Sequence, residues 1–147
     1  MLFYAGLYLP SSMGNGERFM SSHDTLFADA RILVVEDEYF LASDLAEAIG
    51  GTGAKVVGPS GRLADARELA KNEKLNIAVL DVNLRGEMVF DLLDELLDRQ
   101  VPVLLATGYS RSALPDRYRS CHFVEKPYKI PDLLSEIARH LQGAAPA

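Results

Sequence analysis

From Arg31 onward the chain alternates five times between a short apolar run and a segment with helical spacing. Apolar runs this short, bounded by glycine, proline or charge, are the pattern of strands buried on both faces. Such strands belong to parallel sheets covered above and below by helices. The runs are Ile32–Val35, Lys55–Val57, Ile77–Leu80, Val101–Ala106 and Cys121–Val124. Between them, Leu41, Leu45, Ala48 and Ile49 mark one amphipathic face, and Leu63, Ala66, Leu69 and Ala70 a second. Val89, Leu92, Leu93, Leu96 and Leu97, at i, i+3, i+4, i+7 and i+8, give the clearest helical signal. Leu133, Leu134, Ile137 and Leu141 form the last face, with Pro131 well suited to its first turn. Gly50 and Gly51 end the first helix, and Gly58-Pro59 is expected to close the second strand. Ser110–Arg119 has room for a short helix only, distorted or restarted at Leu114-Pro115, and carries few apolar anchors. Right-handed crossovers leave few topologies, and the doubly wound, flavodoxin-like order 2-1-3-4-5 is the compact choice for five strands.

This pattern divides the sequence into an irregular leader (1–30), one domain (31–141) and a short tail (142–147). The leader holds Pro10, Gly14, Gly16 and several serines with no sustained periodicity. Its apolar stretch Leu2–Leu9 is about half the length of a membrane span and lacks a positive n-region, so no membrane insertion is expected. It reads as an unstructured leader or as a small docking tag built from Phe3, Tyr4, Leu7 and Tyr8. Met13 and Met20 are alternative starts. A formal charge of -6 without a basic stripe argues against nucleic-acid binding. Cys121 is the only cysteine, which rules out an intramolecular disulfide and suits a cytoplasmic protein.

In sheets of this kind chemistry gathers beyond the carboxyl ends of the strands. The first apolar run leads into Glu36-Asp37-Glu38, the third into Asp81, the fourth into Thr107 and the fifth into Lys126-Pro127. Neighbouring strands lie about 4.8 Å apart, so Asp81 falls one strand spacing from Glu36 and Asp37. Carboxylates that close repel one another unless a cation intervenes, and Mg²⁺ (or Mn²⁺) takes such hard oxygen ligands. The backbone carbonyl of Asn83 is placed to be a further ligand. A carboxylate beside Mg²⁺ can attack phosphorus and become an aspartyl-phosphate. Lys126 then supplies a point charge to the phosphoryl oxygens, Thr107 a hydroxyl, and Gly108 room. Each residue alone has an ordinary explanation: acids complement a helix N-terminus, and a strand-end Asp usually turns or caps the backbone. The set, one member at each strand end, points to chemistry.

As a set, Val34-Val35-Glu36-Asp37-Glu38, Leu80-Asp81-Val82-Asn83-Leu84, Ala106-Thr107-Gly108 and Glu125-Lys126-Pro127-Tyr128 resemble the receiver domains of bacterial response regulators. The resemblance covers Arg31 to Leu141. It implies that Asp81 is the phosphoacceptor, that Glu36 and Asp37 hold Mg²⁺, and that Thr107 and Lys126 read the phosphoryl group. It also implies a cis peptide before Pro127. Leu105-Ala106-Thr107-Gly108-Tyr109 further resembles the alphaproteobacterial "FAT GUY" receivers, with Leu105 in place of the first Phe and Ser110 in place of the final Tyr.

That subgroup implies a single-domain receiver paired with a sensor histidine kinase of HWE or HisKA_2 type in general stress signalling. A histidine phosphotransfer protein is the alternative partner, and a monomer or weak dimer is expected. The expected output is through protein contacts, since no DNA-binding or catalytic domain follows before Ala147. Slow self-dephosphorylation is expected rather than dedicated catalysis. Phe123 matches the aromatic that switches with the threonine in many receivers. Tyr109 shares that role, shields the phosphoryl group from water, or simply packs on the surface. Two rivals have different signatures: a non-phosphorylated interaction module, and a haloacid-dehalogenase-type phosphatase, which would need an acid where Asn83 stands. Cys121-His122 is no nucleophile–base pair, because adjacent strand residues face opposite ways. His23, His122 and His140 are scattered in sequence, without zinc-ligand spacing.

Overall fold

The computed structural model describes residues 22–143, with side chains from Thr25 onward. The expectations for Phe3, Tyr4, Leu7, Tyr8, Met13, Met20 and the His23 side chain lie outside the described residues. In sequence order the elements are α1 (Ser22–Phe27), β1 (Arg31–Val35), α2 (Tyr39–Gly50), β2 (Lys55–Ser60), α3 (Leu63–Asn72), β3 (Ile77–Leu80), β4 (Asn83–Leu84), β5 (Glu87–Met88), α4 (Phe90–Asp98), β6 (Val103–Thr107), β7 (His122–Glu125) and α5 (Ile130–Gly143). Two 3-10 turns, Arg111–Ala113 and Asp116–Tyr118, fill the span between β6 and β7.

The main sheet is parallel, in the order β2-β1-β3-β6-β7. Counting its five strands alone, this is the 2-1-3-4-5 order of the flavodoxin-like fold. Successive side chains on each strand serve opposite faces. Leu33, Val35, Leu80 and Leu105 meet Ala66 of α3 and Leu92, Leu93 and Leu96 of α4 in one core. Ile32, Val34, Val79 and Leu104 meet Leu45 and Ile49 of α2 and Leu133, Ile137 and Leu141 of α5 in the other. All residues of β3 and β6 are buried, which is why those runs carry no alternation.

Several local expectations need correction. The stretch before Arg31 is not irregular throughout: α1 forms, and Phe27, 1% exposed, joins the α2–α5 core. Phe27 is seated there with Ala30 buried in the same core and Leu26 packed against it, an apolar set too short to give a periodicity to read. Gly58-Pro59 does not close β2. Gly58 takes a φ of 95° that only glycine holds easily, the Gly58–Pro59 bond is cis, and pairing resumes at Val35↔Ser60 after an irregularity. Cys121 precedes β7 rather than starting it, and the hairpin β4–β5 is an unforeseen element. The 110–119 segment is better anchored than its composition suggests. Leu114 and Tyr118 are fully or nearly buried, and the Tyr118 ring stacks on Phe90 at 5.1 Å.

Register is what carries the site. Val35 pairs with Leu80, Leu80 with Leu105, and Thr107 with Glu125. The residues that follow β1 and β3, Glu36 and Asp81, therefore emerge at one level.

Candidate functional site

Asp81 is fixed by its backbone: its N–H donates to the Val35 carbonyl at 2.9 Å, across the β1–β3 junction. One carboxylate oxygen, Oδ1, accepts the Val82 N–H at 2.7 Å, which leaves Oδ2 facing the neighbouring strand ends. There the Lys126 ammonium lies 2.7 Å from Asp81 Oδ2, 2.9 Å from Glu36 Oε1 and 3.3 Å from Glu38 Oε1. Lys126 is itself placed by its N–H, which donates to the Thr107 carbonyl at 2.8 Å, and by a cis Lys126–Pro127 bond. Glu36 and Asp81 are 4% and 8% exposed, whereas Asp37 stands nearer the surface.

Glu36, Asp37 and Asp81 each offer a carboxylate oxygen, and these lie within 4.8 Å of one another. Burial pushes the Glu36 carboxyl above its ordinary value, while the Glu38 amide (2.9 Å from Oε2) and Lys126 pull it back. Burial also works against the Lys126 ammonium, but Asp81 and Glu36 outweigh it and hold Lys126 above the usual lysine range. A set of hard carboxylate oxygens, one of them deeply buried, fits Mg²⁺ or Mn²⁺. Among the described residues no other group of three such ligands occurs.

Thr107 is fully buried, and its Oγ1 accepts the Tyr109 N–H at 3.3 Å. Gly108 is exposed, and a Cβ there would meet nothing within 4 Å, so the space above this strand end is open. Tyr109 reaches back over the site: its hydroxyl accepts from Asn83 Nδ2 at 3.0 Å, and Asn83 Oδ1 accepts the Gly86 N–H at 2.5 Å. Phe123 is half-buried on the α3–α4 side, with the Arg111 guanidinium 5.1 Å from its ring centroid. The acids and Lys126 thus form one cluster, Thr107 and Gly108 border it on the next strand, and Phe123 packs in the core below.

Sequence reasoning misses four neighbours of this cluster. Glu38 contacts Lys126, and Arg85 pairs with Asp37 Oδ2 at 3.7 Å. Tyr128 has a buried hydroxyl without a hydrogen-bond partner, and burial pushes it up to about 12, with Glu36 adding to the effect. At Gly61 a Cβ would stand 3.2 Å from Asp37 Cα and 3.3 Å from the Glu36 carbonyl. Glu38 and Tyr128 stand in the acidic run and the Lys126-Pro127-Tyr128 motif without a role of their own. Arg85 and Gly61 leave no signal, since Arg-Gly is not one of the pairs that announce a two-residue hairpin turn. Elsewhere, His122 and His140 are not scattered in space: their rings meet edge-on, with centroids 3.9 Å apart. Cys121 packs on the opposite core, and burial raises its thiol.

The sequence and the fold match known proteins. The receiver-domain profile of response regulators covers residues 32–138. The transcriptional regulatory protein PdtaR of Mycobacterium tuberculosis is 31% identical over 111 residues, 73% of this chain and 54% of PdtaR. The protein thus spans about half the length of the curated relatives it matches. The solution structure of SdrG from Sphingomonas melonis superposes with a TM-score of 0.66 at 30% identity, covering 76% of this chain and 96% of SdrG. The PhyR receiver domain of Erythrobacter litoralis shares the fold, with a TM-score of 0.72 at 24% identity over 82% of this chain and 96% of that one. On the profile match and the 31% identity with PdtaR, the protein belongs to the response regulator receiver domain family.

Proposed function

We propose that this receiver domain is phosphorylated on Asp81 by a sensor histidine kinase or histidine phosphotransfer protein. The observation that carries the proposal is Asp81 Oδ2 at the mouth of the central strand, with Lys126 Nζ 2.7 Å away and Glu36 and Asp37 beside it. In the step, the Asp81 carboxylate attacks the phosphorus of a phosphohistidine. The P–O bond forms as the P–N bond breaks, and the imidazole leaves with that electron pair and takes up a proton. Lys126 turns from the Asp81 oxygen to the phosphoryl oxygens, Thr107 donates its hydroxyl hydrogen to them, and Gly108 leaves room. Glu36, Asp37, Asp81 and the Asn83 carbonyl would hold Mg²⁺, which would supply positive charge beside the transferred group.

Receiver domains are in general not dedicated enzymes, and a phosphatase reading has little support here. Asn83, two residues beyond Asp81, presents an amide already engaged by Tyr109 and Gly86. Protein partners are favoured by Tyr39 and Phe40, 75% and 80% exposed in edge contact just after Glu38, which give a donor protein an apolar grip beside the acids. The Leu105–Tyr109 run supports the "FAT GUY" subgroup and so an HWE or HisKA_2 type kinase. Among the described residues no helix is long and apolar enough to cross a membrane.

The test is incubation with acetyl phosphate and Mg²⁺, then intact mass. One added phosphoryl group is expected, lost in Asp81→Ala and in chelator. An adduct that survives Asp81→Ala, or none at all, sinks the proposal.

A further inference from the structure

The hairpin β4–β5 turns on two residues, Arg85 and Gly86, between the paired Leu84 and Glu87. Both take positive φ, 56° and 94°, the signature of a type I′ turn. Glycine, asparagine and aspartate fill the first of these positions at little cost, whereas an arginine is strained there. Backbone strain of this kind is kept where something else depends on the residue. The Arg85 side chain shows what depends on it. Arg85 Nε lies 3.7 Å from Asp37 Oδ2, and Nη2 donates to the Asp37 carbonyl at 3.4 Å. Lys126 meanwhile serves Glu36, Glu38 and Asp81. Among the described residues, Arg85 is the cation that the structure pairs with Asp37.

We propose that Arg85 is a displaceable counter-ion, an internal rival that a divalent cation must evict from Asp37 before the acidic cluster can close around it. The proposal rests on the reading of Glu36, Asp37 and Asp81 as a metal site. The Arg85 side chain is 78% exposed, so its hold is weak and reversible, and it can leave without disturbing the core. Its charge also repels a divalent cation at close range. Together these set apparent Mg²⁺ affinity below what the carboxylates alone would give. They also make it depend on salt, which screens the exposed guanidinium.

The test is calorimetric titration of the full-length protein with Mg²⁺, comparing wild type with Arg85→Asn. Asparagine suits the left-handed turn position, so the hairpin is kept and only the guanidinium is removed. A thermal melt in chelator checks this, with Arg85→Asn expected to melt no lower than wild type. The variant is expected to bind Mg²⁺ about two- to ten-fold more tightly, with the gap narrowing at high salt. Arg85→Lys is expected to keep most of the wild-type affinity, and Asp37→Asn to remove most of the gain. Equal or weaker binding by Arg85→Asn overturns the proposal and leaves the metal site standing. If neither protein binds Mg²⁺, the metal reading falls, and this proposal with it.

Discussion

Lys126→Met keeps the length of the side chain and removes the charge on which the cluster turns. In the wild type that ammonium sits 2.7 Å from Asp81 Oδ2 and 2.9 Å from Glu36 Oε1. Both acids are nearly out of water, so the variant leaves two buried carboxylates facing each other without a counter-charge. Removing one partner of a fully buried pair costs about 3–5 kcal/mol. The Lys126 side chain is 18% exposed and Glu38 lies on the rim, so the expected cost here is lower. It comes to about 2–4 kcal/mol once water reaches part of the site. With a denaturant slope of about 2 kcal/mol per M of urea, the unfolding midpoint in chelator is expected to drop by about 1–2 M. On the proposed metal site, millimolar Mg²⁺ would restore positive charge among the same acids, so it is expected to raise the midpoint of the variant more than that of the wild type. The assay is a pair of urea titrations followed by circular dichroism, with chelator and with Mg²⁺. A variant within about 0.3 M of the wild type in chelator would refute the idea that these acids form one electrostatic unit.

Three further outcomes are open to measurement. Tyr118 is fully buried, its hydroxyl donates to the Asp94 carboxylate, and the Arg117 guanidinium lies 4.4 Å from its ring centroid. Tyr118→Phe keeps the packing and loses one charge-assisted hydrogen bond, a loss of about 1–2 kcal/mol in urea unfolding. The Tyr118 hydroxyl holds the Asp94 carboxyl below its usual range, and Arg117 adds to this. That stability is present above the unfolded Asp value of about 4 and fades as pH falls through the lower folded value, so the deficit of the variant should shrink in acid. A deficit that is absent at neutral pH, or that grows in acid, would count against the bond. Gly61→Ala drives a Cβ against Asp37 and Glu36 and is expected to cost about 1 kcal/mol and to weaken Mg²⁺ binding, as read by urea and calorimetric titration. Unchanged Mg²⁺ affinity would show that the loop gives way freely. Tyr109→Phe removes the acceptor for Asn83 Nδ2 and is expected to shift stability by less than about 1 kcal/mol while shortening the life of the Asp81 phosphoryl group. An unchanged half-life would leave Tyr109 without a shielding role.

The sheet order and the position of the acids are legible in the sequence because both follow from short-range rules. Ile77–Leu80 and Val103–Thr107 are apolar on both faces, so their place in the middle of a parallel sheet is written in their composition. Asp81 is simply the residue that follows the buried strand β3, and Lys126 the one that follows the more exposed edge strand β7. What escapes depends on tertiary partners. Phe27 has no periodic neighbours to announce it, and Tyr118 is one aromatic in a polar stretch whose pocket is supplied by Phe90 and Asp94, more than twenty residues away in sequence. The β2 irregularity escapes because Gly-Pro ordinarily stops a strand. Here Glu36 N–H donates to the Ser60 carbonyl at 2.9 Å and keeps β2 in the sheet. Arg85 escapes for the same reason: the turn is local, but the acid it meets is 48 residues back.

These bonds also bear on how a charge at Asp81 would be felt elsewhere. The route from Thr107 to Lys126 is tied at several points rather than loose. Arg111 Nη1 donates to the carbonyls of Arg119 and Cys121 at 2.6 and 2.8 Å, and Arg119 donates to those of Leu114 and Ser112. Tyr118 pins the same segment to α4 through Asp94. A segment held by that many directional contacts does not deform gradually; it keeps one arrangement or exchanges it for another. A threonine hydroxyl accepts and donates at once, so Thr107 can keep the Tyr109 amide while offering its proton to a phosphoryl oxygen. If Asp81 is the acceptor, movement of Thr107 and Lys126 pulls on both ends of the tied segment and on β7, which lies at the sheet edge. The 3-10 turns then act as a rigid lever, and the change in amide exchange on phosphorylation is expected to concentrate in residues 107–126 while α2 and α3 stay as they are.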